Sequence, residues 1–465
     1  MQALAHFVLV AFLRLVTRIF FRRIEVVGRE HVPAAGALIF VGNHPNSLVD
    51  PVIISTTCPR PVRFAARDGL FASPFLRPIL WALGSVPIKR RQDHASPAAG
   101  EAGVDNADAF RALHDVLAGG GAFGIFPEGV SYTESELQPL KTGAARIALS
   151  ALAEGTSITF VPVGLSYRRK QHFRGRVLVQ YGRAIVLDAE WRARHESDPR
   201  AAARALTAEI DLALRALTLN APDFDTLRVL DGVRRLYVPI DRDLSLAEEA
   251  EVTRRLVAHW RAKHETPEVR ALYSDVESYL ALLEALGLSD WDLRRPVSRF
   301  DWSVRVLRHV VLLAVQVPLA LPGLVLHFPL LWGATRAGEM VLARDDVRAT
   351  MRMMIATGGV LASHLAVTAA IVALDPTPRG AARAAFALAF LAISGLAAIR
   401  VLEKQAIVRH GLRVLSRILA LRGELAALRA QRDALRTRLI ELTIAHADPA
   451  MERIVSNEEL VSSTG

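Results

Sequence analysis

The alternation of apolar and polar positions divides the chain into segments of different character. Ala3 to Leu13 is an apolar run, after which Arg14, Arg18 and Arg22 recur every four residues while Phe12, Val16, Ile19 and Phe20 fall on the other face. Over residues 1–23 this pattern predicts a helix lying in a membrane interface, or else an amphipathic helix buried in a soluble domain. From residue 24 to 215 short apolar runs alternate with longer helical ones. Strands are expected at Ala37–Val41, Val62–Ala66, Ala122–Phe126, Ile158–Gly164 and Arg176–Tyr181, and helices at Asn106–Ala118 and Gly143–Ala153. That alternation is the signature of an α/β domain. Gln92 to Asp105 has no periodicity and reads as a loop.

Residues 216–300 read as a helical extension, one helix of which opens on the capping box Ser245-x-x-Glu248 and buries Val252, Leu256, Val257 and Trp260. Residues 301–400 form a membrane region. Ala356–Leu374 and Ala384–Ile399 carry no charge and flank the turn Asp375–Arg379, which predicts a membrane hairpin over 356–399. Val310–Trp332 is also uncharged but contains Pro318, Pro322 and Pro329. Each proline removes a backbone hydrogen bond that lipid cannot replace, so 310–332 is expected to re-enter the bilayer or lie at its surface. Val414, Ile418, Leu421, Leu425, Leu428, Leu435, Leu439 and Leu442 then follow 4-3 spacing, broken by Arg432. This predicts a coiled-coil-like helix over 401–447, either pairing with a second copy through 414–442 as a homo-oligomer or packing on its own chain. Residues 448–465 are a polar tail.

Composition narrows the function classes. The 465 residues are 51% apolar with a mean hydropathy of +0.26, which excludes a disordered chain. Cys58 is the single cysteine, so an internal disulfide and a multi-cysteine zinc site are excluded. The formal charge is +10, but only five of the 57 basic residues are lysine, and no basic cluster is interleaved with aromatics. No nucleic acid partner is expected.

Candidate chemistry concentrates at the predicted strand ends. Val41-Gly42-Asn43-His44 leaves one strand, and Asp50 follows a turn later. A carboxylate that holds one imidazole nitrogen frees the other to take a hydroxyl proton, as a general base does. Asp50-Pro51 also fits a helix cap followed by proline at the first helical position, with His44 merely satisfying a turn. Lys89, Arg90 and Arg91 place three cations after a short apolar strand, either a grip for a phosphate or a solvated charge run. Phe126-Pro127-Glu128-Gly129 ends another strand in a carboxylate and a glycine, and Pro162 interrupts a buried one.

These four blocks, in this order between residues 43 and 164, resemble the glycerolipid acyltransferases, whose pattern is NHxxxxD, GxxxxxR, FPEGTRS and a strand containing VP. Two departures are present. His-x4-Asp becomes His-x5-Asp, and FPEGTRS becomes Phe126-Pro-Glu-Gly-Val-Ser-Tyr132. Both are similar to the fungal-type glycerol-3-phosphate/dihydroxyacetone-phosphate acyltransferases, as are Leu137-Gln-Pro-Leu-Lys-Thr-Gly143, Val161–Tyr167 and Phe173–Gly182. The resemblance implies an acyltransferase domain with a mixed central sheet over 24–215. It implies transfer of an acyl group from acyl-CoA or acyl carrier protein to glycerol 3-phosphate or dihydroxyacetone phosphate in phospholipid synthesis, at a membrane and with membrane lipid as partner. It assigns His44 as base, Asp50 as its orienter, Lys89, Arg90 and Arg91 to the phosphate, Glu128 and Gly129 to the acceptor, Lys141 to phosphate or CoA, and Pro162 to the shape of the site. No cofactor and no metal are implied. The catalytic domain is expected on the cytoplasmic face of the cytoplasmic membrane. A lysophosphatidate or other lysophospholipid acceptor, or an inactive membrane scaffold, are the alternatives.

Overall fold

The computed structural model of the chain describes residues 2–89, 106–239, 242–294, 299–341, 345–421 and 423–445. Two compact units are present, the first Met1–Asp223 with Leu246–Ala250 and Arg344–Thr350, the second Phe224–Ser245, Glu251–Ala343 and Met351–Gly465.

The first unit is built on a mixed sheet of β1 (Phe21–Val27), β2 (Ala37–Gly42), β3 (Val62–Arg67), β4 (Val86–Ile88), β5 (Ala122–Ile125), β6 (Ile158–Arg168), β7 (Gly175–Tyr181) and β8 (Ile185–Val186). Its order is β1-β7-β6-β2-β5-β3-β4, with β8 beside β6. Strands β2 to β6 are parallel, β7 runs antiparallel to β6, and β1 is parallel to β7. Every residue of the central β2 is buried, as expected for a parallel strand covered on both faces. Helices α2 (Val49–Thr57) and α3 (Leu76–Ala82) each pack on α1 (Gln2–Phe20). Helices α4 (Ala107–Ala118), α5 (Gly143–Ala153), α6 (Ala189–Ser197) and α7 (Pro199–Leu217) form a layer on the sheet, where Leu113, Ala148 and Leu206 meet Ile39, Phe123 and Phe160.

The N-terminal helix is shorter than its arginine period. Residues 21–23 belong to β1, because Phe20 and Phe21 are buried and Phe21 pairs with Gly175. Pro162 is tolerated inside β6 for a local reason: it lies between Thr159–Phe160, which pair with β8, and Val163–Arg168, which pair with β7. Its carbonyl accepts the Gly182 N–H at 2.8 Å, and the missing N–H falls in the same gap. Glu25 of β1 accepts the N–H groups of Leu246 and Ala247 at 3.0 and 2.9 Å.

The second unit is helical. It comprises α8 (Phe224–Tyr237), the part of α9 (Leu246–Lys263) beyond Ala250, α10 (Pro267–Ala285), α11 (Asp290–Arg294), α12 (Arg299–Val341), α13 (Asp345–Leu374) from Met351 on, α14 (Pro378–Ala420) and α15 (Leu425–Ala445). Among the described residues four helical segments are long and apolar enough to cross a membrane by length and composition: Gln2–Phe20, Leu307–Gly333, Val347–Leu374 and Pro378–Arg417.

Two segments of this unit show local detail that the residue pattern does not carry. Pro318, Pro322 and Pro329 do not interrupt the apolar segment 310–332, which lies within the single helix α12. A neighbouring helix inserts a side chain into the backbone ladder close to Pro322. The Ser394 hydroxyl of α14 accepts the Gly323 N–H and donates to the Leu319 carbonyl, both at 2.7 Å. Those two groups would otherwise face each other across one rung of the helix. A Cβ on Gly323 would stand 2.6 Å from backbone atoms of Ser394 and Gly395, so only glycine permits this approach. Ser394→Ala should therefore lower stability by about 1–3 kcal/mol, read as a lower melting temperature in detergent micelles, with an unchanged melt refuting the bridge.

The segment 401–447 divides between two helices. α14 ends at Ala420 and α15 starts at Leu425. Leu425, Leu428, Leu435 and Leu439 are buried, and α15 packs on α8, α10 and α11 of the same chain. These leucines thus pack within the chain, the second of the two alternatives for the seam.

Candidate active site

Parallel strands bring their carboxyl ends to one edge of the sheet, the usual place for a ligand crevice in such folds. Asn43-His44 leaves β2 there, Pro127-Glu128 follows β5, Lys89 follows β4, and Tyr167 lies at the end of β6. Asn43 fixes the first of these loops to β6, donating to the Leu165 carbonyl at 3.0 Å and accepting its N–H at 2.7 Å.

His44 Nδ1 is 2.9 Å from Asp50 Oδ2. The additional residue between them is absorbed by Ser47, in the left-handed region at φ 47°, and by the start of α2, whose first turn carries Asp50. Asp50 is fully buried. It also accepts the Asn46 N–H at 2.7 Å on Oδ2 and the Tyr167 hydroxyl at 2.7 Å on Oδ1. Burial above all, then the Asp50 charge, holds the Tyr167 hydroxyl well above its usual pKa, so it stays a proton donor to Asp50. With three donors converging on a carboxylate, Nδ1 of His44 carries its proton and Nε2 presents its lone pair. The Phe126 ring stacks on the imidazole at 4.0 Å between centroids and 5° between planes.

Glu128 is buried as well. Its Oε1 accepts the His44 N–H at 2.7 Å and its Oε2 the Gln138 N–H at 3.1 Å. Burial raises its pKa, and the two N–H groups offset part of that shift. Glu128 therefore ties the loop after β5 to the backbone of His44, a task its motif alone does not reveal. Gly129 has φ 81°, and a Cβ there would lie 2.3 Å from Lys141 Nζ. The glycine thus lets Lys141 close over the Glu128–Gly129 corner. Lys89 is exposed, and its backbone exchanges hydrogen bonds with the Asn106 side chain at 2.9 and 3.0 Å. Arg90 and Arg91, like the loop 92–105, lie outside the described residues. Among the described residues no group of three or more His, Cys, Asp and Glu could hold a metal ion.

Three contributors escaped sequence reasoning. Tyr167 and Phe126 stand inside the motif blocks but gain a role only through strand register. Lys170 donates to the Pro45 carbonyl at 3.1 Å and to Thr133 Oγ1 at 2.8 Å, joining the first and third blocks.

A family model described as Acyltransferase matches residues 23–166, and one described as the Glycerol-3-phosphate acyltransferase 2 C-terminal domain matches residues 229–452. The first segment is thus similar to the acyltransferases and the second to a glycerol-3-phosphate acyltransferase C-terminal domain. Two yeast glycerol-3-phosphate acyltransferases are among the relatives. Glycerol-3-phosphate O-acyltransferase 2 of Saccharomyces cerevisiae is 31% identical over 58% of this chain and 38% of its own length. Glycerol-3-phosphate O-acyltransferase 1 of the same yeast is 26% identical over 73% of this chain and 57% of its own length. The chain thus spans less than two thirds of either relative. A solved structure, the 1-acyl-sn-glycerophosphate (LPA) acyltransferase of Thermotoga maritima, matches 44% of this chain and 80% of that one at 20% identity and a TM-score of 0.30.

Proposed function

We propose that the chain transfers a fatty acyl group from a CoA or carrier-protein thioester to a hydroxyl of glycerol 3-phosphate or dihydroxyacetone phosphate, in phospholipid synthesis. The observation that carries this reading is the His44–Asp50 pair at 2.9 Å, with Nε2 of His44 left for a substrate. Nε2 takes the acceptor hydroxyl proton as its oxygen attacks the thioester carbonyl. The tetrahedral intermediate collapses, the carbon–sulfur bond breaks, and the imidazolium returns its proton to the departing thiolate. Asp50 steadies the imidazolium, Tyr167 and Asn46 steady Asp50, and Glu128 with Phe126 fixes the position of His44. Lys89, Arg90 and Arg91 receive the acceptor phosphate, Gly129 and Lys141 border the acceptor, and Pro162 shapes the sheet behind it. Glycerol 3-phosphate, dihydroxyacetone phosphate and lysophosphatidate offered in parallel with labelled acyl-CoA test the reading. Turnover is expected with one of the first two. A preference for lysophosphatidate would overturn the acceptor assignment, and no turnover with any acceptor would overturn the activity.

The catalytic unit faces the cytoplasm at the cytoplasmic membrane in this proposal. Arg348, Arg352, Arg400, Lys404 and Arg409 lie beyond the two ends of the 356–399 hairpin, against Arg379 and Arg383 at its turn. Arg383 is moreover neutralised by Asp375 at 2.9 Å. Single cysteines in a Cys58→Ser background, exposed to an impermeant thiol reagent on intact cells, should label at Thr377→Cys and stay protected at Ala434→Cys. The reverse pattern would invert the orientation.

A further inference from the structure

On the opposite side of α5 from the sheet, an open groove of about 930 Å³ runs along the first unit. The half-buried Thr142, which precedes α5, and the exposed Arg146 and Ser150 on it are its floor, Phe110 and Arg111 of α4 form one wall, and Arg200 and Arg204 of α7 the other. Four guanidinium groups from three helices border one concavity. Nothing in the acyl-transfer step described above uses them.

Their counter-charges are few and already engaged. Glu154, at the far end of α5, lies 3.2 Å from His114 Nε2. Asp198 caps α7 by accepting the N–H groups of Arg200 and Ala201 at 2.9 and 3.0 Å, and it feels the charges of Arg204 and Arg200 only through space. Among the described residues no carboxylate stands within ion-pair distance of the Arg146, Arg200 or Arg204 guanidinium, and Arg111 has only the exposed Asp108 at 3.5 Å. The groove is therefore a concave surface with excess positive charge, which favours an anion carrying several negative groups.

We propose that this groove binds the nucleotide end of a CoA thioester, an inference that rests on the acyltransferase reading. Its volume suits a ligand of nucleotide size. Its cations stand apart on α4 and α5 and on α7, matching a ligand whose diphosphate and 3′-phosphate are separated by a ribose. The half-buried Phe110 offers an apolar surface to the adenine. The position is also right. Thr142 opens the groove, and the residue before it, Lys141, touches the Gly129 corner beside Glu128 and His44. An uncharged pantetheine arm leaving the groove at Thr142 would carry the thioester toward His44. A flat lipid surface has no need of a groove, so the phosphates of a soluble ligand fit it better than lipid headgroups do.

The test uses the full chain in detergent micelles and an Arg146→Ala/Arg204→Ala variant, both positions being exposed and outside the core. Titration calorimetry with adenosine 3′,5′-bisphosphate should show binding to the parent protein and at least about tenfold weaker binding to the variant. In turnover, KM for acyl-CoA should rise about tenfold in the variant while KM for the S-acyl pantetheine, which lacks the nucleotide, stays put. Equal bisphosphate affinity in the two proteins would overturn the proposal. So would a variant that loses only its binding to phosphatidylglycerol vesicles, which would assign these cations to lipid. Bisphosphate binding that depends on Arg146 and Arg204 in a chain that transfers no acyl group would leave the groove standing and sink the enzymatic reading instead.

Discussion

His44→Ala should reduce acyl transfer by about 10²- to 10⁴-fold in kcat while the protein still folds and melts as before. On the transition-state scale that is about 3 to 5 kcal/mol of barrier. The side chain is close to the surface at 12% exposure and adds little to the core, so its loss is chemical before it is structural. Asp50→Asn should approach the same loss by another route. His44 and the Asn46 N–H share Oδ2 of Asp50 while Tyr167 uses Oδ1, so the NH2 of an asparagine must take the place of one of these two acceptors. If the His44 Nδ1–H is the one displaced, the tautomer reverses and Nε2 can no longer accept a proton. Tyr167→Phe removes one donor and leaves the pair intact, so it should cost less than either. Steady-state turnover of the three variants measures the ranking. An Asp50→Asn enzyme with parental kcat would reduce that carboxylate to a helix cap.

The largest stability effect is expected in the second unit. Arg432, the residue that breaks the leucine period, is buried and lies 2.8 Å from the equally buried Asp290. Tyr279 donates to the same carboxylate at 3.0 Å, and Arg294 approaches it at 3.3 Å. Asp290→Ala strands two guanidinium groups and a hydroxyl in a low-dielectric site and should cost about 3–5 kcal/mol. In a unit of this size that corresponds to a fall in melting temperature on the order of 10 °C. Arg432→Leu should cost less, because Arg294 still partners Asp290. The double variant Asp290→Asn/Arg432→Leu should recover part of the loss, since only Arg294 then lacks its carboxylate and it keeps the Val238 carbonyl at 2.9 Å. If Asp290→Ala melts within a degree or two of the parent, water reaches the site and the pair is not buried in solution.

Arg432 also marks where sequence reading stops. A leucine repeat states that a face is apolar and leaves its partner unnamed; the arginine within it pointed inward to a carboxylate 142 positions away. The chemistry at the sheet edge was far more legible, since His44, Asp50 and Glu128 each stand just beyond an apolar run whose end is visible. Tyr167 was not, because β6 continues to Arg168, four residues past the apolar stretch, and only that extension carries the hydroxyl to Asp50. β1 was hidden for the opposite reason. Arg22 and Arg23 prolong the periodicity of α1, and the strand is specified by its pairing with β7, not by its own pattern.

The late arrival of that pairing partner has a consequence for how the chain is made. About 150 residues separate β1 from β7, a long loop to close before the two can meet. While the intervening chain is being synthesised, β1 is an unpaired strand, the kind of segment through which nascent chains adhere to one another. It follows the apolar α1 with no connecting residue, since Phe20 ends the helix and Phe21 begins the strand. Capture of α1 by lipid as it emerges would hold the waiting strand apart from other chains until its partner is made.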